Sequence, residues 1–239
     1  MPRIPLSLSV YEHAASFLGL TPWDVCRSAE LVYRAQREAY LAYRHCPLVV
    51  GIDIYNLEAE AYGGELVRPA GAGIPAITRP LMTLADDPRR RAFNPATAGR
   101  IPLMIEAAQR LQADFPEADV RLPVSGPFSV AQSLLGLEPL AMAAALEPAR
   151  VRDFLLALVP GQVRTCEVIL AAGLGIAFFE SAAAPPLLSP RQFREVELPA
   201  LQCAMQEVSN VIREAGAATG VAGPAALPCI IGGDTAPIV

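Results

Sequence analysis

Acidic side chains stand at the ends of two apolar runs of the sequence, where buried strands would end. Asp53 lies at the end of the run 47–54, and Glu180 closes the run 175–180. Such a carboxylate must be hydrogen-bonded or functional, because an unpaired buried charge is costly. If burial raises its pKa, it can transfer protons near neutral pH. The structural alternatives are that Asp53 caps the following helix and that Glu180 bonds to nearby loop amides.

Further polar residues accompany these two carboxylates. Asn56, Glu58 and Glu60 follow the first of them, and Ser181 follows the second. Because Glu58 and Glu60 are two positions apart, they cannot both face one site, and Glu58 is the better candidate. His13, just past the first apolar run, is a further candidate, although a lone histidine is more often structural.

The composition excludes several classes of chemistry and of partner. All 19 basic residues are arginine, so Schiff-base lysine chemistry, pyridoxal phosphate attachment and a Walker A loop are excluded within this chain. The net charge of -5 leaves no basic stripe for nucleic acid. The five cysteines are odd in number and far apart, which suits reduced thiols better than disulfides.

Hydropathy indicates a soluble, cytoplasmic protein without a membrane partner. No run approaches the roughly 20 consecutive apolar residues of a membrane span. Glu12 and His13 interrupt the N-terminal segment where a signal peptide needs an apolar core. The sequence leaves open whether the chain forms a homo-oligomer.

Five short apolar runs alternate with long amphipathic stretches. Runs of this length suit strands buried on both faces of a parallel sheet, and their alternation with helices predicts an α/β fold. The runs are residues 4–10, 47–54, 120–126, 175–180 and 227–232. Helices are predicted at about 22–45, from 94–95, from 147–148, and from about 190 with a kink at Pro199. The segment 63–94, rich in Gly, Pro and Arg, is predicted to be a long loop after the second strand.

Four segments, each at the exit of a predicted strand, resemble the uroporphyrinogen decarboxylase and methylcobamide methyltransferase superfamily. They are GIDIYNLEAEA at 51–61, SGPFSVA at 125–131 with LG at 135–136, FES at 179–181 with LSP at 188–190, and GDTAPI at 233–238. The second segment is more similar to the methyltransferase branch. The resemblance implies a (β/α)8 TIM barrel with its site at the carboxyl ends of the strands. Residues 1–239 then form a single domain holding only the first five βα units, truncated at the C-terminus.

The resemblance also assigns roles to residues. Asp53 matches the catalytic aspartate of the decarboxylase, and Glu180 matches the acidic position of a Phe-Glu/Asp-Ser motif whose serine contacts substrate. Asp53 and Glu180 are therefore predicted to be catalytic. The predicted substrate-binding residues are His13, Tyr55, Asn56, Glu58, Arg79, Phe128 and Ser181.

The sequence departs from the decarboxylase at its cations. Decarboxylation of a tetrapyrrole bearing many carboxylates needs cations to hold the substrate and stabilise the transition state. The first strand exit, where the decarboxylase carries an arginine-rich motif, has no arginine here, and Ser133 stands near the position of the decarboxylase's tyrosine. Arg79 is the one candidate to compensate, so decarboxylase activity ranks second.

The sequence also departs from the methyltransferase branch, which binds zinc through a His-x-Cys pair at the fifth strand exit. Ile230 and Gly232 occupy those positions, and Cys229 is one residue away and alone. Zinc would lower the pKa of a substrate thiol, so its ligands matter to the chemistry. We expect no zinc.

The leading hypothesis is a corrinoid-dependent methyltransferase-like protein, either zinc-independent or degenerate. It would bind a small methylated substrate at the barrel mouth or present it to a corrinoid protein that carries a cobamide. The alternatives are a uroporphyrinogen decarboxylase and a non-catalytic binding or assembly protein. On this hypothesis Asp53→Asn should change stability by about 1 kcal/mol or less and weaken ligand binding clearly.

Overall fold

The computed structural model describes residues 8–185, 187–219 and 230–231. In chain order the strands are β1 (Leu48–Val49), β2 (Leu66–Val67), β3 (Ala76–Ile77), β4 (Val120–Ser125), β5 (Gly175–Glu180) and β6 (Ile230–Ile231). The helices are α1 (Pro22–Val25), α2 (Ala29–Tyr43), α3 (Leu57–Ala61), α4 (Ile101–Asp114), α5 (Pro127–Leu135), α6 (Leu137–Leu146), α7 (Pro148–Ala171), α8 (Pro190–Gln192) and α9 (Leu198–Thr219). Short 3-10 helices cover Glu12–Leu18 and Pro88–Arg90, and a π-helical turn covers Phe193–Glu197.

The main sheet has four parallel strands in the order β1-β4-β5-β6. Leu48 pairs with Val120, Ser125 pairs with Phe179, and Phe179 pairs with Ile230. Parallel strands joined by helical crossovers form the predicted α/β fold. The described residues form no closed barrel.

The two faces of the sheet are covered differently. Along β5, Ile176 and Phe178 belong to the large core formed with the helices, whereas Ala177 and Phe179 belong to a small second cluster. This alternation is that of a strand buried on both faces. The Tyr11 ring packs edge-on against Phe179, with ring centroids 6.0 Å apart, and so covers the second face.

Helix α7 forms much of the core. Pro148 lies in its first turn, as its fixed backbone favours, and Leu155 and Leu158 are fully buried. Of the described helices, α7 alone is long and apolar enough by itself to cross a membrane, but half of its apolar window is buried within the protein. It packs against α5, α6 and α9, as a core helix does.

The structure corrects several predicted boundaries. Within the run 4–10, residues 8–10 form no strand and residues 4–7 lie outside the described part. The helix predicted at 22–45 is two helices, because the chain breaks before Ser28, whose side chain accepts a hydrogen bond from Leu31 N and caps α2. Residues 94–100 form turns, so the next helix starts only at Ile101. A π-helical turn ends one residue before Leu198, close to the kink predicted at Pro199.

Candidate functional site

A cavity of about 500 Å³ lies where the chain leaves the carboxyl ends of β1, β4 and β5. Ligand sites of parallel α/β folds lie at this end of the strands. Its lining residues are Tyr55, Asn56, Ile74, Pro75, Ala76, Ile77, Thr78, Ser129, Gln132, Ser133, Gly136, Leu137, Ser181, Ala182 and Leu187. The cavity therefore occupies the position that the resemblance predicted for the site.

The segment predicted as a long loop, 63–94, supplies one wall of this cavity. Part of it folds into the antiparallel hairpin β2–β3, in which Leu66 pairs with Ile77. Asn56 Nδ2 donates a hydrogen bond of 2.8 Å to the Pro75 carbonyl oxygen and so ties the hairpin to the exit of β1. The insertion thus takes part in forming the cavity.

None of the described residues that line the cavity is charged. Hydroxyl and amide groups come from Tyr55, Asn56, Thr78, Ser129, Gln132, Ser133 and Ser181, and aliphatic side chains from Ile74, Ile77, Leu137 and Leu187. A neutral surface that mixes apolar area with a few hydrogen-bonding groups suits a small uncharged ligand.

Asp53 does not line the cavity. Its carboxylate is fully buried and accepts two hydrogen bonds from Arg100, 2.6 Å from Nη1 to Oδ1 and 2.8 Å from Nη2 to Oδ2. Arg100 Nε also donates to Glu60 Oε2 at 2.6 Å. The predicted catalytic role of Asp53 stays a prediction, and its observed contacts join α3 to the start of α4.

Glu180, the last residue of β5, is fully buried next to the first turn of α5. Its Oε2 accepts hydrogen bonds from Phe128 N at 3.0 Å and Ser129 N at 3.4 Å, and its Oε1 accepts one from Ser129 Oγ at 2.5 Å. The amino end of a helix favours a negative charge. Burial nevertheless raises the pKa of Glu180, against the lowering effect of these hydrogen bonds.

Glu197, which the sequence interpretation missed, lies beside Glu180. Its side chain is fully buried, and neither carboxylate oxygen receives a hydrogen bond from an N–H or O–H group of the described residues. The neighbouring Glu180 carboxyl can bond to it only if one of the two is protonated. Burial, and then the charge of Glu180 and this hydrogen bond, raise the pKa of Glu197 well above its ordinary value. Burial and the neighbouring carboxyl therefore both favour the protonated form of Glu197.

The sequence did contain a signal for Glu197. It stands four residues after Phe193 and four before Leu201, both buried positions of the predicted apolar face. A carboxyl at such a position must be buried with the face. Charged residues in the middle of an apolar helical face are thus worth treating as site candidates.

Glu58 is also buried, and it does not line the cavity. Its Oε1 accepts a hydrogen bond of 2.7 Å from Ser125 N, and its Oε2 has no partner among the described residues. Burial raises its pKa. The sequence favoured Glu58 over Glu60 as a site residue. In the structure Glu58 bonds to the last residue of β4, Glu60 pairs with Arg100, and neither lines the cavity.

The remaining predicted residues divide between the cavity and other places. Tyr55, Asn56 and Ser181 line the cavity. Phe128 is buried at 1% exposure, and Arg79 is exposed beside the lining residue Thr78. His13 is exposed and outside the lining, and its Nε2 lies 2.9 Å from the Tyr43 hydroxyl. The functional roles of all six stay predictions.

The described residues contain no group of three or more His, Cys, Asp or Glu side chains placed to hold a metal ion. Residues 229 and 232, at the expected zinc-ligand segment, lie outside the described part. The described donor set does not fit a zinc site. The expectation of a zinc-free protein stays a prediction.

The absence of a side chain at Gly126 is expected to be essential to the position of the Glu180 carboxyl. A Cβ atom at Gly126 would lie 2.2 Å from Glu180 Oε2 and 2.8 Å from its Cβ, closer than any real contact. We expect Gly126→Ala to displace the Glu180 carboxyl and to cost about 1–3 kcal/mol of unfolding free energy through overpacking. Urea denaturation measures the cost. Unchanged stability would show that the turn at Gly126 has more room than this geometry allows.

Comparison with known proteins agrees with this architecture. The family model "Uroporphyrinogen decarboxylase (URO-D)" matches residues 1–217. Among solved structures, a methyltransferase from Methanosarcina mazei is similar with a TM-score of 0.74 and 19% identity, over 93% of this chain and 70% of that chain. At this identity the likeness shows the fold. No curated protein matches significantly. The chain therefore belongs to the uroporphyrinogen decarboxylase family, which confirms the resemblance seen in its strand exits.

Proposed function

We propose that this protein is a methyltransferase-like member of the family that binds a small, neutral methylated compound in the cavity. A corrinoid protein would then exchange the methyl group with that compound. The observation that supports the proposal is the described part of the lining, whose residues offer hydroxyl, amide and aliphatic groups and no charge.

The same lining argues against decarboxylation of a polycarboxylate. Such a substrate needs several cations around it, both to bind and to stabilise the transition state. Arg79 is adjacent to the lining but not part of it, and Arg100 is buried in its pairs with Asp53 and Glu60. A tetrapyrrole bearing many carboxylates would therefore find no counter-charge among the described lining residues.

The lining also narrows the class of methylated compound. A quaternary ammonium group is recognised by several aromatic faces or by a carboxylate. Within residues 8–185, 187–219 and 230–231, Tyr55 is the one aromatic residue that lines the cavity, and no carboxylate does so. A neutral O-methyl or S-methyl compound fits these walls better, and a volume of about 500 Å³ falls in the range of small-molecule sites.

The corrinoid would be brought by a partner protein, and its cobalt would supply the methyl acceptor or donor. The residues of this chain would hold the methylated compound and exclude bulk water from it. Asn56 and Ser181 come from different strand exits, so together they can orient a ligand between them.

Calorimetric titration with 4-methoxyphenol, tetramethylammonium and uroporphyrin tests the proposal. We expect 4-methoxyphenol to bind and the other two to bind at least about tenfold more weakly, since each tenfold step corresponds to about 1.4 kcal/mol. Uroporphyrin binding more tightly than the ether would favour the decarboxylase alternative.

A second measurement separates an enzyme from a binding protein. With reduced cobalamin as acceptor, methyl transfer would be seen as methylcobalamin formation in the visible spectrum. Binding of the ether with no transfer above the protein-free rate would favour the non-catalytic alternative.

A further inference from the structure

We propose that Ser129, Glu180 and Glu197 form a proton relay that delivers a proton to the leaving oxygen or sulfur atom of the methylated compound. This inference rests on the proposed function, because it takes the cavity as the site of that compound.

Ser129 connects the cavity to the buried carboxyls. It lines the cavity, and its Oγ lies 2.5 Å from Glu180 Oε1. Glu180 and Glu197 are fully buried and outside the lining. A proton passing between these carboxyls and a ligand would therefore travel through the Ser129 hydroxyl.

The second carboxyl makes the first one suitable for proton transfer. Glu197 is buried with no N–H or O–H donor among the described residues, and the titratable group that faces it is Glu180. Facing Glu180 in turn are Glu197, the Ser129 hydroxyl and the amides of Phe128, Ser129 and Ala182. Two adjacent buried carboxyls cannot both be ionised. The pair would alternate between two protons and one, and never carry two charges.

The step balances as follows in the demethylating direction. The bond between the methyl carbon and its oxygen or sulfur breaks, and its electron pair stays on that atom. The methyl group would pass to an acceptor that the corrinoid partner supplies and that forms the new bond with its own electron pair. The leaving atom takes the proton of Ser129 Oγ while Oγ takes the proton of Glu180. Methyl donation to a hydroxyl or thiol runs through the same positions in reverse.

The anion left on Glu180 is stabilised where it forms. Oε2 receives the amide hydrogen bonds of Phe128 and Ser129 at the start of the nine-residue helix α5. Glu197 keeps its proton and can donate a hydrogen bond to the Glu180 carboxylate. Donors already in place at a developing charge need no reorganisation, so this carboxyl can release its proton although it is buried.

The test compares leaving groups that need a proton with those that do not. With reduced cobalamin as acceptor, Ser129→Ala is expected to slow transfer from methyl phenyl ether by about 10²–10⁴-fold, the usual contribution of acid–base catalysis. Transfer from methyl 4-nitrophenyl ether should slow by less than about tenfold, since its leaving group is stable as an anion. Glu180→Gln should show the same pattern. Equal slowing of both ethers would overturn the relay.

Infrared spectroscopy tests the shared proton without any substrate. At pH 7 the difference spectrum between the unaltered protein and Glu197→Gln should contain a carboxylic-acid C=O band. The matched control Glu195→Gln, an exposed glutamate two residues away, should show none. A missing Glu197 band would overturn the proposal. If the band is present and the unaltered protein transfers methyl from neither ether, the proposed function fails and the leaving-group role fails with it, while the proton-sharing pair stands.

Discussion

Replacing Asp53 with asparagine is expected to lower the free energy of unfolding by about 3–5 kcal/mol, the cost of breaking a buried ion pair by removing one partner. Asp53 is fully buried, and both its oxygens accept hydrogen bonds from Arg100. Asparagine keeps the shape but removes the charge. Arg100 would keep a charged partner only in Glu60, whose side chain is 17% exposed. This loss is larger than the change of about 1 kcal/mol or less predicted from the sequence, because the sequence did not show the ion pair.

Urea denaturation of Asp53→Asn, Arg100→Met and the double variant measures this directly. The double variant is expected to lose less than the two single losses added together, because neither charge is then left alone. Asp87→Asn is the matched control: its carboxylate is 28% exposed and pairs with Arg89, which is 64% exposed, so the loss should stay within about 0.5 kcal/mol. If Asp53→Asn unfolds like the control but loses affinity for 4-methoxyphenol, Asp53 acts in binding rather than in folding.

This ion pair shows which part of the site the sequence could not predict. The position of Asp53 at a strand exit was visible in the apolar run before it. Its partner stands 47 residues later, at the residue before α4, and nothing local marks Arg100 as its counter-ion. The pairing depends on how α3 packs against α4, which is a property of the folded chain.

The two long strands, β4 and β5, were predicted well, since continuous apolar runs are typical of strands buried on both faces. The run 47–54 was predicted as a strand but forms one only at Leu48–Val49. β5 was predicted with its observed bounds, Gly175–Glu180, and β4 ends one residue earlier than predicted. The break between α1 and α2 was missed because Cys26, Tyr33 and Tyr40 are each seven residues apart. Seven residues are about two helical turns, so the pattern predicted one continuous helix. Ser28 was the available signal, as a capping serine just before the second helix.

The sequence predicted where the cavity lies but only some of the residues that line it. Ser181 directly follows β5, and Tyr55 and Asn56 follow the apolar run that contains β1, so the parallel-sheet rule places them at one end of the fold. The wall from Ile74 to Thr78 belongs to a hairpin inside a segment rich in glycine and proline. Such a segment has no hydrophobic periodicity from which its path can be predicted.

Glu197→Gln is expected to make the stability of the protein less dependent on pH. The folded state holds a proton on Glu197 at pH values where the unfolded state, with the ordinary pKa of 4.5, has lost it. The folded state then binds more protons, so stability falls as pH rises, by about 1.4 kcal/mol per pH unit for one such group. The stabilisation is complete below about pH 4.5 and is lost as pH rises toward the raised pKa of Glu197. Glutamine needs no proton, so it removes this loss.

Urea denaturation between pH 4 and pH 8 tests this expectation. Glu197→Gln should be closest to the unaltered protein at the acidic end and increasingly more stable than it toward pH 8. Glu195→Gln, an exposed change of the same kind in the same π-helical turn, should follow the unaltered protein throughout. Glu180 and Glu58 also have raised pKa values because they are buried, so the variant should keep a weaker fall with pH rather than none. Parallel curves for Glu197→Gln and the unaltered protein would mean that Glu197 is ionised in the folded state, which a buried carboxyl beside Glu180 can be only if a cation reaches it.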